Sequence, residues 1–339
     1  MDQTNHPSNI KWLSQPREVE TQLLEWSKTY PDKLQLDWAK QFTGDTVYAA
    51  TVSGAWGKAT KNLLIAVPHA HEPAGTAASM DFLCQLLTGR TLDGHPAAPA
   101  CQEFLNHLKI TIIPIANPFG RKRAPVDCWD GSVYDNEQFE YIMVGRLREG
   151  QDFKLVNAFW HSHPIFDQRI ECLKEIGIVW EQISAHKYAE PHFFKGTTWW
   201  KLIDRLSDEI PYHFFAELHQ GMENWEEYDT LAIYPNESWI PQSALDFSEK
   251  VHQHIREKWI QAGANPHPGD PDYYQRAGRS CFRPDEPSER RRFSIDWLTE
   301  KCGTPFITVE VQNNNSRTPR DEQLKYAEAA IEACAEVLL

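Results

Sequence analysis

Fourteen residues, 62–75, set what this chain can build: NLLIAVPHAHEPAG. The apolar run 63–67 reads as a buried strand, and Pro68 ends it. An Ala-rich helix is expected over 75–87. A strand passing straight into a helix through a short turn is the repeating unit of an α/β fold. Here that turn carries His69 and Glu72. The H-x-x-E spacing lets one turn aim an imidazole and a carboxylate at a common point. Both are zinc-type ligands, and a catalytic zinc takes three protein ligands and leaves one position for water. The competing reading is a helix-capping glutamate beside an exposed histidine.

Apolar strand patterns and amphipathic helix patterns alternate along the rest of the chain. Helices are expected over 17–29, 102–108, 166–182, 199–210, 245–262 and 320–339. Strands are expected over 34–38, 46–52, 110–115, 212–218 and 306–311. Residues 117–120 read as a turn. The Trp-, Tyr- and Asp-rich stretch 121–165 reads as long loops at a site, and 266–287 as a further loop. The implied architecture is α/β with a largely parallel or mixed sheet, and the length fits one large or two smaller domains. In such sheets sites form beyond the carboxyl ends of strands.

The chain has 339 residues, 41% hydrophobic and 24% charged, with a net charge of -14. That charge repels nucleic acid and anionic membrane surfaces in bulk. No apolar run reaches the ~18 residues of a membrane span. The N-terminus lacks a basic segment followed by an apolar one, so no secretory signal is expected. Seven scattered cysteines without a C-x-x-C pair read as reduced thiols, pointing to a cytoplasmic protein.

A third ligand should come from another strand end, because a rigid site needs a rigid support. His219 follows the strand pattern 212–218 and is the first choice. The other candidates are His71, His161, His163 and His213. His213 falls inside the expected strand, and His161 and His163 follow no strong strand pattern. A general base should be a carboxylate near the metal. Glu310 ends the apolar run of PFITVEV, where an acid is costly unless it faces a polar cavity. Partial burial there raises a carboxyl pKa toward the range of a useful base. The competing reading is an outward-facing strand residue.

His69-x-x-Glu72, Asn117-Pro118-x-Gly120, His219 after an apolar strand and Glu310 before a Val-Gln turn resemble, in that order, the zinc carboxypeptidases of the M14 type. The N-terminal helix, Tyr-Pro pair and two strands resemble theirs as well, so the likeness covers about 17–338. It implies a single three-layer α/β/α domain over 1–339 with a mixed, roughly eight-stranded sheet. It also implies a zinc ion held by His69, Glu72 and His219, with Glu310 as general base. Asp127 would then support His69, and Arg123, or the nearby Arg121, would stabilise the oxyanion. Asn117, His71 and Arg121 would face the substrate.

The chain departs from that family in two places. Val126-Asp127 is followed by Cys128-Trp129, not by the Asn-Arg pair that grips a peptide's terminal carboxylate. His71 stands where an arginine is common. The resemblance implies a hydrolase acting on a small peptide. The spelling His69-Ala70-His71-Glu72-Pro73 also resembles the succinylglutamate desuccinylase and aspartoacylase group, which would make the substrate an N-acyl amino acid. A non-catalytic binding module on the same fold is the third reading; it would be expected to lack a ligand or the base.

Overall fold

The strand that carries the H-x-x-E turn lies in the middle of the sheet. The computed structural model describes residues 11–41, 44–59, 61–122, 124–136, 138–139, 198–221, 227–234, 240–268, 298–299 and 301–339. In chain order the elements are α1 (Pro16–Thr29), β1 (Leu34–Lys40), β2 (Thr46–Val52), β3 (Lys61–Ala66) and α2 (Pro73–Thr88). Next come α3 (Ala100–His107), β4 (Leu108–Ile113), α4 (Pro118–Arg121), α5 (Thr198–Glu209) and β5 (Phe214–Gly221). The chain closes with β6 (Thr230–Ile233), α6 (Gln242–Gln261), β7 (Phe306–Gln312) and α7 (Arg320–Glu336).

The described residues form one mixed sheet of seven strands, ordered β1-β2-β4-β3-β5-β7-β6. The four inner strands β4, β3, β5 and β7 run parallel, and β1, β2 and β6 pair antiparallel at the flanks. Parallel strands are covered on both faces. One face, with Leu63, Ile65, Leu218 and Val309, packs under α1, α2, α3, α7 and most of α6. The other, with Leu64, Ala66, Phe215 and Phe306, packs under α5. This is the expected three-layer α/β/α arrangement.

Helix α2 is buried from Pro73 to Leu87, so it is apolar nearly all round, as a helix enclosed on every side must be. Its backbone comes so close to β5 that a Cβ on Gly75 would lie 2.8 Å from the Cβ of Leu218. Only glycine fits there. The close approach presses the start of α2, and with it the turn 69–72, against the strand that carries His219.

Two expectations need correcting. The strand expected over 212–218 runs from Phe214 to Gly221. Its ladder with β7 continues to Gly221 opposite Gln312, so His219 lies inside the strand. His213 lies outside it: its backbone N–H donates to Asn62 O at 2.8 Å and its Nδ1 accepts from Asn62 N–H at 3.0 Å. The turn expected over 117–120 is the short helix α4, because Asn117 Oδ1 accepts from Gly120 N–H at 2.9 Å and caps it. Arg123, His161, His163, the expected helix 166–182 and much of the two expected loops lie outside the described residues.

Candidate metal centre

The carboxyl ends of two adjacent parallel strands build the site. β3 ends at Ala66, the chain leaves the sheet through Val67 and Pro68, and the turn delivers His69 and Glu72 at the start of α2. β5 lies beside β3, with Glu217 opposite Ala66, and carries His219 two residues further on.

Glu72 stands at the N-cap position of α2, yet its side chain caps nothing. Its carboxylate turns instead to two histidines: Oε1 lies 2.8 Å from His69 Nδ1 and Oε2 lies 3.3 Å from His219 Nδ1. The two Nδ1 atoms are 3.2 Å apart. The ligand atoms of a tetrahedral zinc, at ~2.0–2.1 Å from the ion, sit about 3.3–3.4 Å from one another. Two imidazole nitrogens and a buried carboxylate gathered at these spacings are a donor set that fits zinc.

The electrostatics point the same way. Burial opposes charge on Glu72, but His69 and His219 outweigh it and hold its carboxyl well below the usual range. Burial opposes charge on His219 as well, but Glu72, Glu217 and Glu310 outweigh it and raise its pKa well above the ordinary imidazole value. Without a metal, this charge pattern is balanced by protons. A divalent cation competes with those protons for the same atoms.

His71 is buried, and its ring stacks on that of His69 with centroids 5.4 Å apart. Its Nε2 lies 3.6 Å from Glu72 Oε1, and with His69 and Glu72 it forms a second possible donor group. The spacings through His219 are tighter, so His219 completes the set better and His71 forms its wall, next to Phe139.

Glu310 lies directly opposite His219 in the β5·β7 pairing. It is the one residue of β7 that is not fully buried. Alternation along β5 and β7 puts Glu217, His219, Thr308 and Glu310 on the face of Phe215 and Phe306. Burial, with the Glu72 and Glu217 carboxylates adding to it and His219 offsetting part, pushes the Glu310 carboxyl up to about 8. A dication at the neighbouring ligands would draw it back down.

Arg121, at the end of α4, is buried, and its Nη2 donates to His69 O at 3.3 Å. Its Nε and Nη1 are buried without a hydrogen-bond partner among the described residues. Burial draws its pKa down to about 9 while Glu72 and Asp127 support the charge, so the guanidinium stays cationic at neutral pH. Asn117 Oδ1 is engaged in the cap and by Gln41 Nε2. Asp127 is exposed, and its Oδ1 accepts from Gln15 Nε2 at 2.6 Å.

The sequence reading missed two groups. Glu217 Oε2 lies 3.2 Å from His219 Nε2, and its only sequence signal is an acid two residues before the histidine. A chain of buried amides also ties the two ligand-bearing segments together. Ala74 N–H donates to Gln220 Oε1 at 2.8 Å, Gln220 Nε2 to Gln323 Oε1 at 2.8 Å, and Gln323 Nε2 to Trp129 O at 2.6 Å. Gln323 is more than 100 positions from its partner Gln220, beyond the reach of any local pattern.

No known family model matches the sequence, and no curated protein matches it. Solved structures do. Thrombin-activatable fibrinolysis inhibitor superposes with a TM-score of 0.60 at 12% identity, over 96% of this chain and 73% of that one. A metallo-carboxypeptidase from Pseudomonas aeruginosa, in complex with (2-guanidinoethylmercapto)succinic acid, gives 0.55 at 15% identity, over 95% and 70%. One from Burkholderia cenocepacia gives 0.54 at 12% identity, over 94% and 67%. At these identities the likeness speaks for the backbone alone: this chain has the zinc carboxypeptidase-like fold.

Proposed function

We propose that the protein is a zinc-dependent hydrolase of amide bonds, of the metallocarboxypeptidase type. The observation that carries this is the convergence of His69 Nδ1, the Glu72 carboxylate and His219 Nδ1 within 3.3 Å of one another, with Glu310 abreast on the next strand. Zinc held there supplies Lewis acidity, polarising the scissile carbonyl and acidifying water. Glu310 takes a proton from the attacking water and returns it to the leaving amine. Its site favours a carboxyl that gains and loses protons near neutral pH. Arg121, through Nε and Nη1, receives an anionic oxygen of the substrate or of the tetrahedral transition state. Arg123 is the alternative for that role. His71 and Phe139 bound the space beside the metal.

The substrate is a small peptide or an N-acyl amino acid, and one observation favours the second. Where carboxypeptidases place an Asn-Arg pair for a peptide's terminal carboxylate, this chain has Cys128 and Trp129. Cys128 is buried with its Sγ 3.6 Å from Gln323 Oε1, and Trp129 is buried edge-on against Phe139 at 4.8 Å. Neither side chain offers a positive charge there.

The test begins with metal analysis of purified protein, then turnover of short peptides against N-acyl amino acids. Stoichiometric zinc is expected, with activity lost on chelation and restored by zinc. Glu310→Gln should keep zinc and lose kcat by about 10²–10⁴-fold, since the amide cannot accept the proton. A variant keeping more than roughly a tenth of wild-type kcat would remove Glu310 from the mechanism. Turnover confined to acyl compounds selects the deacylase reading.

A further inference from the structure

We propose that Glu217 is the positioning residue for the third ligand, holding His219 through Nε2 so that Nδ1 is presented to the metal. The inference rests on the metal reading above and assigns a role to a residue that the mechanism does not use.

Both ring nitrogens of His219 are engaged, on opposite sides. Nε2 faces Glu217 Oε2 at 3.2 Å, and Nδ1 faces Glu72 Oε2 at 3.3 Å and His69 Nδ1 at 3.2 Å. A neutral imidazole carries one N–H and one lone pair. If Nε2–H donates to the Glu217 carboxylate, the lone pair is left on Nδ1, where the other two donors converge. Hydrogen bonding at one ring nitrogen decides which nitrogen binds a metal, and it also fixes the ring plane.

The position of Glu217 fits this role and excludes the catalytic one. It pairs with Thr308, two residues nearer the start of β5 than the His219–Glu310 pair. Two residues along a strand are ~6.6 Å. Glu310 is therefore level with the ligand, and Glu217 stands one pleat behind it. Glu217 touches the far side of the imidazole, so it acts through His219.

Its burial also requires an explanation. The Glu217 side chain is 6% exposed in a strand otherwise composed mainly of apolar residues. A carboxylate in such a place is costly unless it is hydrogen-bonded or paired. His219 is in reach, and both residues lie on one rigid strand, so the spacing between them is set by the backbone. When a divalent cation occupies the ligands, the charges of Glu72 and Glu217 together equal its own in magnitude.

The experiment compares zinc affinity, by competition with a chromophoric chelator, for wild type, Glu217→Gln, Glu217→Leu and His219→Ala. It also reads the ¹⁵N shifts of the His219 ring in the apo and zinc-loaded protein. Gln keeps an acceptor for Nε2–H and loses the charge; Leu loses both. Affinity should fall in the order wild type, Gln, Leu, with the Leu variant weaker by about 10–100-fold. Read at a pH that leaves the His219 ring neutral, the apo Leu variant should lose the preference for the Nε2–H tautomer, and the Gln variant should keep it. A purely structural role would lower the melting temperature and leave tautomer and affinity unchanged.

Wild-type zinc affinity with an unchanged tautomer in Glu217→Leu overturns the proposal. If the Leu variant does not fold, wild-type affinity in Glu217→Gln overturns it in the same way. Failure of the underlying metal reading shows separately, as full zinc affinity in His219→Ala.

Discussion

His219 and His213 sit six residues apart, with opposite surroundings. His219 has carboxylates on three sides and a raised pKa; burial and the charge of Lys61 lower that of His213. One imidazole is placed among anions that welcome a cation, the other beside a cation and bonded to the backbone of Asn62. His219→Ala should therefore lower zinc affinity by more than about 100-fold, the upper end of what losing a mere supporting partner costs. His213→Ala should leave zinc affinity unchanged, and equilibrium titration of both variants checks it. The two histidines also show what single residues disclose in the sequence. An imidazole after an apolar run, an acid inside one, and H-x-x-E before a helix are chemically incongruous, and incongruity can be read without coordinates. Glu217 was not legible. Whether an acid within a strand supports a neighbour or faces solvent depends on which face is covered. Arg121 and Arg123 were equally hard to separate, since one α4 residue is buried by contacts distant in sequence.

Helices α2 and α7 lie against one another on the sheet, and their contact holds a second group of acids. Glu328 of α7 is strongly shielded from water. That shielding, together with the carboxylates of Asp81 on α2, Glu332 on α7 and Asp93 beyond α2, raises its pKa well above the ordinary value. Asp81 already accepts from Gln85 Nε2 and Leu92 N–H. The folded state thus holds a proton on Glu328 that the unfolded chain releases near the ordinary carboxyl pKa. The stability tied to that proton is complete below the unfolded pKa and is lost as pH rises through the folded one. Glu328→Gln, which cannot ionise, should match wild type near pH 4.5. Above it the variant should gain, reaching about 1 kcal/mol or roughly 1–3 °C in melting temperature by pH 8. Melting curves across that range check the sign: a gap that shrinks with rising pH would refute the assignment. Helices and strands themselves were legible because each pairs a run of one period with a clear stop. Their ends were less so. β5 extends to Gly221 only because β7 continues beside it, which a one-dimensional pattern cannot show. The Gln220–Gln323 link, formed between β5 and α7, had no local signal for the same reason.

At the scale of the molecule the candidate metal centre joins β3, β5 and the start of α2. Among the described residues no helix is long and apolar enough to cross a membrane, and all five described cysteines are free. Occupancy should therefore act on the whole fold by mass action. A cation that binds the native chain alone stabilises it by about 4 kcal/mol at a thousandfold excess over Kd. Differential scanning calorimetry should show a higher melting temperature with zinc than with a chelator, and no such difference in His219→Ala. An equal difference in that variant would place the stabilising ion elsewhere. The pairing of His219 with Glu310 across β5·β7 also bears on which changes the site can absorb. What keeps His219 and Glu310 abreast is a count of residues along two ladders, and substitutions elsewhere leave a count unchanged. Deleting one residue between Phe306 and Glu310 would turn Glu310 to the opposite face, because side chains alternate. Side chains elsewhere can thus change freely while the arithmetic of the sheet keeps these two abreast.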